Sequence, residues 1–190
     1  KENAVKEVAK KIDELAKTIF QQREKAIPVL VKKLENSLSN LGMENTRFQF
    51  KLNHSNQYFA NGKDELELLI SANKGVNFGE LKKVASGGEM SRIMLAIKAI
   101  IADFSKLPTI LFDEIDTGVS GEIALKMGEI MKKMSINRQV FAITHLPQIA
   151  SKGDAQYKVS KETILENTIS KIVKLNTDER IVEIAEMLSG

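Results

Sequence analysis

The sequence predicts an α/β fold with a mainly parallel sheet, flanking helices and β-hairpins, preceded by a helical N-terminal stub. The apolar run Thr109–Phe112 leads directly into Asp113 and Glu114, which is typical of a buried strand that carries chemistry at its tip. A second apolar run, Gln139–Thr144, follows a helical pattern, as in a parallel crossover unit. Residues 1–42 place apolar side chains at steps of three and four, as a coiled coil does.

Length and composition limit the class of protein. The chain has 190 residues, 43% of them apolar, which is enough for one sizeable core with an appendage. It has no cysteine, and its net charge of +3 is too small to indicate nucleic acid by itself. No apolar run reaches the roughly 18 residues of a membrane span, so we expect a cytoplasmic protein without a membrane partner. Because the chain starts at Lys1 and stops at Gly190 just after an amphipathic stretch, we expect a fragment cut at both ends.

The N-terminal segment contains two successive helical patterns. The first is a coiled-coil seam formed by Val5, Val8, Ile12, Leu15 and Ile19. After an interruption near Gln22, apolar residues recur from Ile27 to Leu41. Pro28 stands where a second helix could begin, and Gly42 marks its end. Two packed surface helices of an ordinary domain would show the same pattern, so both interpretations stay open.

The segment that follows predicts an antiparallel pair of strands. Apolar residues alternate from Thr46 to Asn53 and again from Glu65 to Ser71. A long polar loop is expected between them, with His54 as a solvated residue at its edge. The polar stretch Asn73–Val84 is expected to be a loop that leads into the site.

A glycine pair opens the next predicted helix, the buried helix Ile93–Phe104. Ser86 and Glu89 have the spacing of a capping box, and Gly87 and Gly88 let the chain turn into the helix. The same geometry lets backbone N–H groups approach an anion closely, under a favourable helix dipole. From these residues alone the capping role is favoured, and the anion site stays open.

The C-terminal part predicts one more crossover, a hairpin and a last helix. Residues 123–134 have a helical apolar face, and the strand after them ends at His145. If the two apolar strands are parallel, His145 emerges at the same sheet edge as Asp113 and Glu114. Residues 155–161 and 168–175 alternate like a hairpin, and a helix is expected from Thr177 onwards.

Four motifs in this order resemble the C-terminal half of an ATP-binding-cassette ATPase head of the SMC-like type, in the form found in bacterial DNA repair proteins. Ser86–Arg92 resembles the signature motif and Thr109–Glu114 the Walker B motif. Ile115–Gly121 is similar to the D-loop, and Ile143–Gln148 to the switch-histidine segment. All four within about sixty residues make the resemblance specific.

The resemblance implies a role for each motif. Asp113 would bind Mg²⁺ through water, Glu114 would orient or deprotonate the attacking water, and His145 would touch the γ-phosphate. The residues implied in binding the ATP of the opposite protomer are Ser86, Gly87, Gly88 and Glu89, with Asp116 and Ser120 of the D-loop. Hydrolysis of ATP would therefore need a homodimer of two heads with ATP sandwiched between them.

The resemblance also implies an organisation. Residues 1–42 would be the returning end of a coiled-coil arm and a connecting helix, and residues 43–190 the C-terminal lobe of the head. The N-terminal half-head of the same chain would be a partner. DNA, in double-strand break repair at the bacterial nucleoid, is implied by the resemblance alone.

Two departures from the family pattern matter. Ser120 replaces the aspartate that usually closes the D-loop in transporters, although Asp116 lies earlier in the loop. No phosphate loop is present, because the pair Gly62-Lys63 has Gln57 at the required glycine position and is followed by Asp64. We therefore expect this fragment alone to be inactive and not to hold ATP and Mg²⁺ stably.

Two other functions remain as alternatives. The ATPase subunit of a membrane transporter shares the cassette, but Ile115-Asp116 stands here in place of the Pro-Thr usual in transporters. A non-catalytic coiled-coil interaction module with a degenerate head would explain the missing phosphate loop.

Overall fold

The computed structural model describes residues 2–105, 107–164 and 167–189. The chain forms two compact units, one up to Met90 and one from Ser91, and each is described by itself. None of the helices among the described residues is long and apolar enough to cross a membrane.

The first unit opens with a single long helix, α1 (Glu2–Asn40). The predicted break before a second helix is wrong, because Pro28 lies inside the continuous helix. A proline removes one backbone hydrogen bond. The helix continues because Leu34 and Leu38 anchor its second half in the core. Gly42, with φ 74°, lies just past the helix end, as expected of a C-terminal glycine.

The first half of α1 keeps its apolar stripe uncovered. The side chains of Val5, Val8 and Leu15 are 69%, 55% and 63% exposed. A packed surface helix buries its apolar stripe, so the interpretation as an ordinary packed helix does not describe this half. The stripe has the spacing of a coiled-coil seam, and it stays exposed from Val5 to Leu15.

Three antiparallel strands follow in the spatial order β1 (Arg47–Phe59), β2 (Gly62–Ser71) and β3 (Gly79–Glu80). The predicted strand pair is confirmed, but the expected long loop is wrong, since β1 continues to Phe59 and turns at Ala60-Asn61. A register shift between His54 and Phe59 lets this polar stretch remain paired with β2. The alternation of apolar and polar residues in the sequence does not predict such a shift. The expected loop Asn73–Val84 contains β3 and the short helix α2 (Leu81–Val84).

A buried carboxylate joins α1 to this hairpin. The Asp64 side chain is fully buried and accepts a hydrogen bond of 2.9 Å from Arg23, whose second nitrogen donates to the Asn61 carbonyl at 2.7 Å. His54, expected in a loop, lies instead in β1, stacked on Phe20 with 4.0 Å between ring centroids. The middle of α1 therefore contacts the β1–β2 hairpin through charged and aromatic side chains.

A second polar contact reinforces this junction nearer the solvent. Asp13 on α1 accepts hydrogen bonds from Tyr58 at 2.7 Å and from Lys63 at 3.0 Å. The hydrogen bond from Tyr58, followed by that from Lys63, lowers the pKa of Asp13 below its ordinary value. The same pairing raises the pKa of Lys63.

The second unit contains the predicted crossover. Helix α3 (Gly87–Phe104) runs into it from the first unit and is followed by β4 (Thr109–Asp113), α4 (Gly121–Met134), β5 (Gln139–Ile143) and α5 (Pro147–Ala150). Strands β4 and β5 pair in parallel, as predicted. The helical face predicted for α4 is confirmed by its buried residues, which are Ala124, Met127, Gly128, Met131 and Met134.

The parallel sheet is less covered than the sequence predicts. Phe112 is fully buried, but Leu111, Phe141 and Ile143 are 54%, 44% and 55% exposed. The expectation that these strands are fully buried is therefore wrong. A strand of a parallel sheet is buried only when layers cover both faces of the sheet, and the described residues leave these three side chains exposed. Helix α3 was likewise expected to be buried, yet Phe104 is 74% exposed.

The C-terminal part forms the predicted hairpin and helix. Strands β6 (Tyr157–Ile164) and β7 (Asn167–Lys174) pair antiparallel, and their connection lies outside the described residues. Helix α6 (Thr177–Ser189) begins with a reciprocal cap in which the N–H of Glu179 donates to Asn176 Oδ1 at 3.0 Å. The Asn176 N–H in turn donates to the Glu179 carboxylate at 2.7 Å.

Candidate functional site

The register of the parallel pair fixes where the candidate residues leave the sheet. Thr109 lies opposite Gln139, and the ladder ends with Asp113 opposite Ile143. Since both strands run the same way, Glu114 after β4 and His145 after β5 follow at the same sheet edge. The structure therefore brings the Walker B-like carboxylates and the switch-like histidine to one end of the second unit.

The backbone turns sharply at Glu114. Its φ of 49° lies in the left-handed region, which non-glycine residues adopt at a cost of roughly 1–3 kcal/mol and mainly at functional sites. Thr117 stabilises the turn, because its N–H and its hydroxyl both donate to the Glu114 carbonyl, at 3.4 and 3.0 Å. The strand ends at Asp113, and Glu114 belongs to the turn.

Both carboxylates at this edge are exposed, as a residue must be to reach a ligand. Among residues 2–105, 107–164 and 167–189, no three His, Asp or Glu side chains gather into a metal cage. Mg²⁺ rarely uses such cages, since it takes one or two carboxylates and fills its remaining positions with water and substrate phosphate oxygens. A single exposed carboxylate such as Asp113 fits that donor set.

Asp116 lies inside the protein, in contrast to its neighbours. It is 1% exposed, and its Oδ2 accepts hydrogen bonds from the Thr144 hydroxyl and, at 3.2 Å, from the His145 N–H. The Nδ1 of His145 lies 3.4 Å from the same oxygen. The resemblance implied that Asp116 binds the nucleotide of an opposite protomer, but here its carboxylate faces the switch-like segment of its own chain. Sequence spacing gives no signal for this contact, because 28 residues separate Asp116 from Thr144.

Ser120 occupies the other candidate position in the D-loop-like turn. It is exposed and lies at the N-cap of α4, but its side chain makes no capping hydrogen bond. The turn before it is closed by a hydrogen bond of 3.2 Å from the Val119 N–H to the Asp116 carbonyl and by Gly118 with φ 71°. The Ser120 side chain is thus exposed at the loop end opposite the buried Asp116.

The first five residues of the signature-like motif, Ser86–Met90, belong to the first unit and lie at the start of α3. The Glu89 carboxylate accepts hydrogen bonds from the Ser86 N–H at 2.8 Å and from the Ser86 hydroxyl at 2.7 Å. The capping role is therefore present, through the reach of Glu89 back to Ser86. Gly87 is exposed and Gly88 is half-buried.

Among the described residues, nothing lies close enough to Gly87 to require a glycine there. A Cβ built on it would meet no atom within 4 Å, and its backbone does not have a left-handed φ. A glycine can also be needed where something outside the chain approaches the backbone closely. Open space at the start of an eighteen-residue helix leaves room for such an approach.

Solved SMC head domains share this fold. The head domain of Smc from Pyrococcus yayanosii, with a coiled coil and joint, aligns with a TM-score of 0.72 over 97% of this chain and 34% of its own, at 20% identity. An SMC ATPase studied for ATP-driven dimerization and DNA-stimulated activation aligns with a TM-score of 0.59 over 90% of this chain and 98% of its own, also at 20% identity. The fold of the chain is thus that of a lobe of an SMC-type head domain.

Sequence comparison identifies the particular relatives. DNA repair protein RecN of Rickettsia typhi is 40% identical over 176 residues, which is 93% of this chain and 32% of the relative. RecN of Deinococcus radiodurans is 39% identical over 88% of this chain and 29% of its own length. No protein-family model matches the chain. The chain is a homologue of the C-terminal part of RecN, and it spans about a third of the length of these relatives.

The open space at Gly87 generates a prediction about stability. We expect Gly87→Ala to change the free energy of unfolding by less than about 1 kcal/mol, because alanine costs nothing sterically there and favours a helix. Gly79→Ala is the matched control in the same unit, since its Cβ would lie 2.6 Å from the Val84 side chain and should destabilise by about 1–3 kcal/mol. Urea unfolding measures both, and equal losses would show that the fold itself requires Gly87.

Proposed function

We propose that this chain is the C-terminal lobe of the ATPase head of a RecN-like protein of the SMC type, and that the complete head hydrolyses ATP. The observation that carries the proposal is the parallel register that ends at Asp113 and Ile143. It delivers two exposed carboxylates and a histidine to one sheet edge, where open α/β folds bind ligands. Homology to RecN and the SMC head fold support the same function.

Each residue at this edge has a proposed task. Glu114 orients the attacking water and accepts its proton, for which its exposed carboxylate in a fixed turn is suited. Asp113 would hold Mg²⁺, which would supply charge neutralisation for the phosphates. His145, 70% exposed, contacts the γ-phosphate.

The signature-like residues act on a second copy of the head. Ser86, Gly87 and Gly88 contact the γ-phosphate of ATP held by the opposite protomer, with Glu89 bracing the Ser86 backbone. The open space at Gly87 supports this, since nothing in its own chain fills it. Ser120, exposed in the D-loop-like turn, is proposed to lie at the same dimer interface.

The exposed face of the parallel pair is proposed to bind the N-terminal half-head of the same chain. Leu111, Phe141 and Ile143 are more than two-fifths exposed here, and strands of a parallel sheet are normally covered on both faces. The upstream half would also bring the phosphate loop, since Gly62-Lys63 begins strand β2 of this chain instead of lying between a strand and a helix. We therefore propose that this segment alone does not hydrolyse ATP and does not hold ATP or Mg²⁺ stably.

The remaining organisation follows from α1 and from the relatives. Residues 1–42 are proposed to be the returning end of a coiled-coil arm with its connection, and residues 43–190 the C-terminal lobe of the head. The uncovered seam of α1 supports the arm. The name of the relatives, DNA repair protein, supports a role on broken DNA, and hence a cytoplasmic protein at the nucleoid.

The two alternative functions are less well supported. Relatives at 37–40% identity over most of the chain are DNA repair proteins, not transporter subunits. A non-catalytic module would have no need for two carboxylates and a histidine held at one sheet edge.

Loss of the proposed base tests the chemistry. In the full-length protein, Glu114→Gln should lower kcat for ATP hydrolysis about 10²–10⁴-fold, because glutamine cannot accept the proton, while ATP binding persists. Glu129→Gln is the control, because Glu129 is 58% exposed on α4 and pairs only with the surface residue Lys152. An unchanged rate in Glu114→Gln would remove Glu114 from the mechanism.

A bulky charge at the signature-like motif tests the action on a second head. We expect Ser86→Arg to abolish ATP-dependent dimerisation, measured by light scattering, while each head still binds nucleotide. The opposing protomer should be excluded by the arginine side chain without damage to the pocket of its own head. Ser39→Arg on the exposed face of α1 serves as the control. Equal loss of nucleotide binding in Ser86→Arg would contradict a contact made across the dimer.

If the N-terminal half-head covers the sheet, a substitution on the exposed face should destabilise the full-length protein more than this segment. Leu111→Ala should destabilise the full-length head by about 2–5 kcal/mol, the loss typical of a buried leucine, but this segment alone by about half of that or less. The reason is that Leu111 is 54% exposed here. Ile136→Ala, at 76% exposure, should have a small effect in both proteins. Equal effects of Leu111→Ala in the two proteins, measured by urea unfolding, would show that nothing covers the strand.

A further inference from the structure

The buried carboxylate of Asp116 connects two loops of the candidate site. We propose that Asp116 is a positioning residue that holds the His145 segment of its own chain in the geometry needed for hydrolysis. This inference rests on the proposed function and adds to it a residue that acts through His145 rather than on the nucleotide. It assigns Asp116 a task in cis, in place of the contact across the dimer that the family pattern implies.

Three consecutive residues after β5 are organised around one carboxylate oxygen. The Thr144 hydroxyl and the His145 N–H both donate to Asp116 Oδ2, and the Leu146 N–H donates to Thr144 Oγ1 at 3.0 Å. The His145 Nδ1 lies 3.4 Å from the same oxygen. The chain is therefore fixed at each residue of the segment, both through its backbone and through its side chains.

The loop that carries Asp116 is itself held in place. The left-handed turn at Glu114 and its two hydrogen bonds from Thr117 set the path of the chain on one side. The hydrogen bond from the Val119 N–H to the Asp116 carbonyl closes the other side. Ile115 and Val119, 6% and 8% exposed, anchor the loop by burial. The carboxylate thus has little freedom to turn towards solvent or towards a second protomer.

Burial of the Asp116 carboxylate makes it depend on its hydrogen bonds from Thr144 and His145. A carboxylate that is 1% exposed is stable only if hydrogen-bond donors compensate for its lost hydration. Its Oδ2 accepts hydrogen bonds from Thr144 and His145 and lies close to the His145 ring. Movement of the switch-like segment away from Asp116 would remove these partners from a buried carboxylate, so the segment is restrained to this position.

The consequence for His145 is an oriented ring. A carboxylate beside one ring nitrogen holds the ring in one orientation and turns the other nitrogen away from it. Here Nδ1 faces Asp116, and the ring as a whole is 70% exposed, so Nε2 is turned towards open space, where an N–H on it can donate to a phosphate oxygen. This arrangement resembles the histidine–carboxylate pairs in which the acid orients the base without touching the substrate.

A double-mutant cycle in the full-length protein tests the inference. We expect Asp116→Ala and Thr144→Val each to lower kcat for ATP hydrolysis about 10–100-fold, the usual loss when an orienting partner is removed, with little change in KM. His145→Ala should lower kcat further. In the His145→Ala background, Asp116→Ala should have no additional effect, because Asp116 acts through the His145 side chain, which is then absent. Thr144→Ser, which keeps the hydroxyl, should restore most of the rate. If Asp116→Ala does not fold, Thr144→Val replaces it in the cycle with His145→Ala.

The controls separate this inference from the function on which it rests. Asp154→Ala removes an exposed carboxylate of the same unit, whose partner is Lys132, and should leave kcat unchanged. Additive losses of Asp116→Ala and His145→Ala, or a raised KM in Asp116→Ala, would overturn the positioning role while the ATPase function stands. Wild-type turnover in His145→Ala would overturn both the role of His145 and that of Asp116.

Discussion

The parallel pairing of β4 with β5 is the constraint on which the candidate site depends. Five residue pairs, from Thr109–Gln139 to Asp113–Ile143, set the end of one strand against the end of the other. A slip of one residue would move every side chain of a strand to the opposite face and shift His145 relative to Glu114 by about 3.3 Å. The arrangement of residues at this edge is therefore specified by the backbone hydrogen bonds between the two strands, together with helix α4, which connects them.

A second level of organisation lies in the loops after the strands. The left-handed turn at Glu114 and the buried Asp116 each have a local cost, which the hydrogen bonds of Thr117, Thr144 and His145 offset. Functional loops that are fixed before a ligand arrives lose less entropy when it binds. The exposed carboxylates and the exposed His145 ring thus project from a framework that is rigid just beneath them.

The sequence predicts those parts whose signal is local. The capping contact between Ser86 and Glu89, the face of α4 and the hairpin β6–β7 all follow from spacing over fewer than twenty residues. The continuity of α1 through Pro28 could not be predicted, because the contacts that outweigh the lost hydrogen bond are tertiary.

The same limit applies to the site itself. Sequence order placed Asp113 and His145 at one edge, since that needs only parallel strands. The inward position of Asp116 depends on a turn in which a non-glycine residue adopts φ 49° and on donors 28 and 29 residues away. Neither leaves a periodic pattern.

The uncovered apolar surfaces link the fold to the proposed activity. Leu111 and Ile143 lie on the same two strands whose ends carry Asp113 and His145, and both are more than half exposed. Burial of such side chains contributes about 25 cal/mol per Å² of apolar surface removed from water. A segment that covers this face would thereby stabilise the register that positions Asp113, Glu114 and His145. Under the proposed function, covering the strands and completing the candidate site would be one event, because the layer that protects the strands also fixes the groups at their ends.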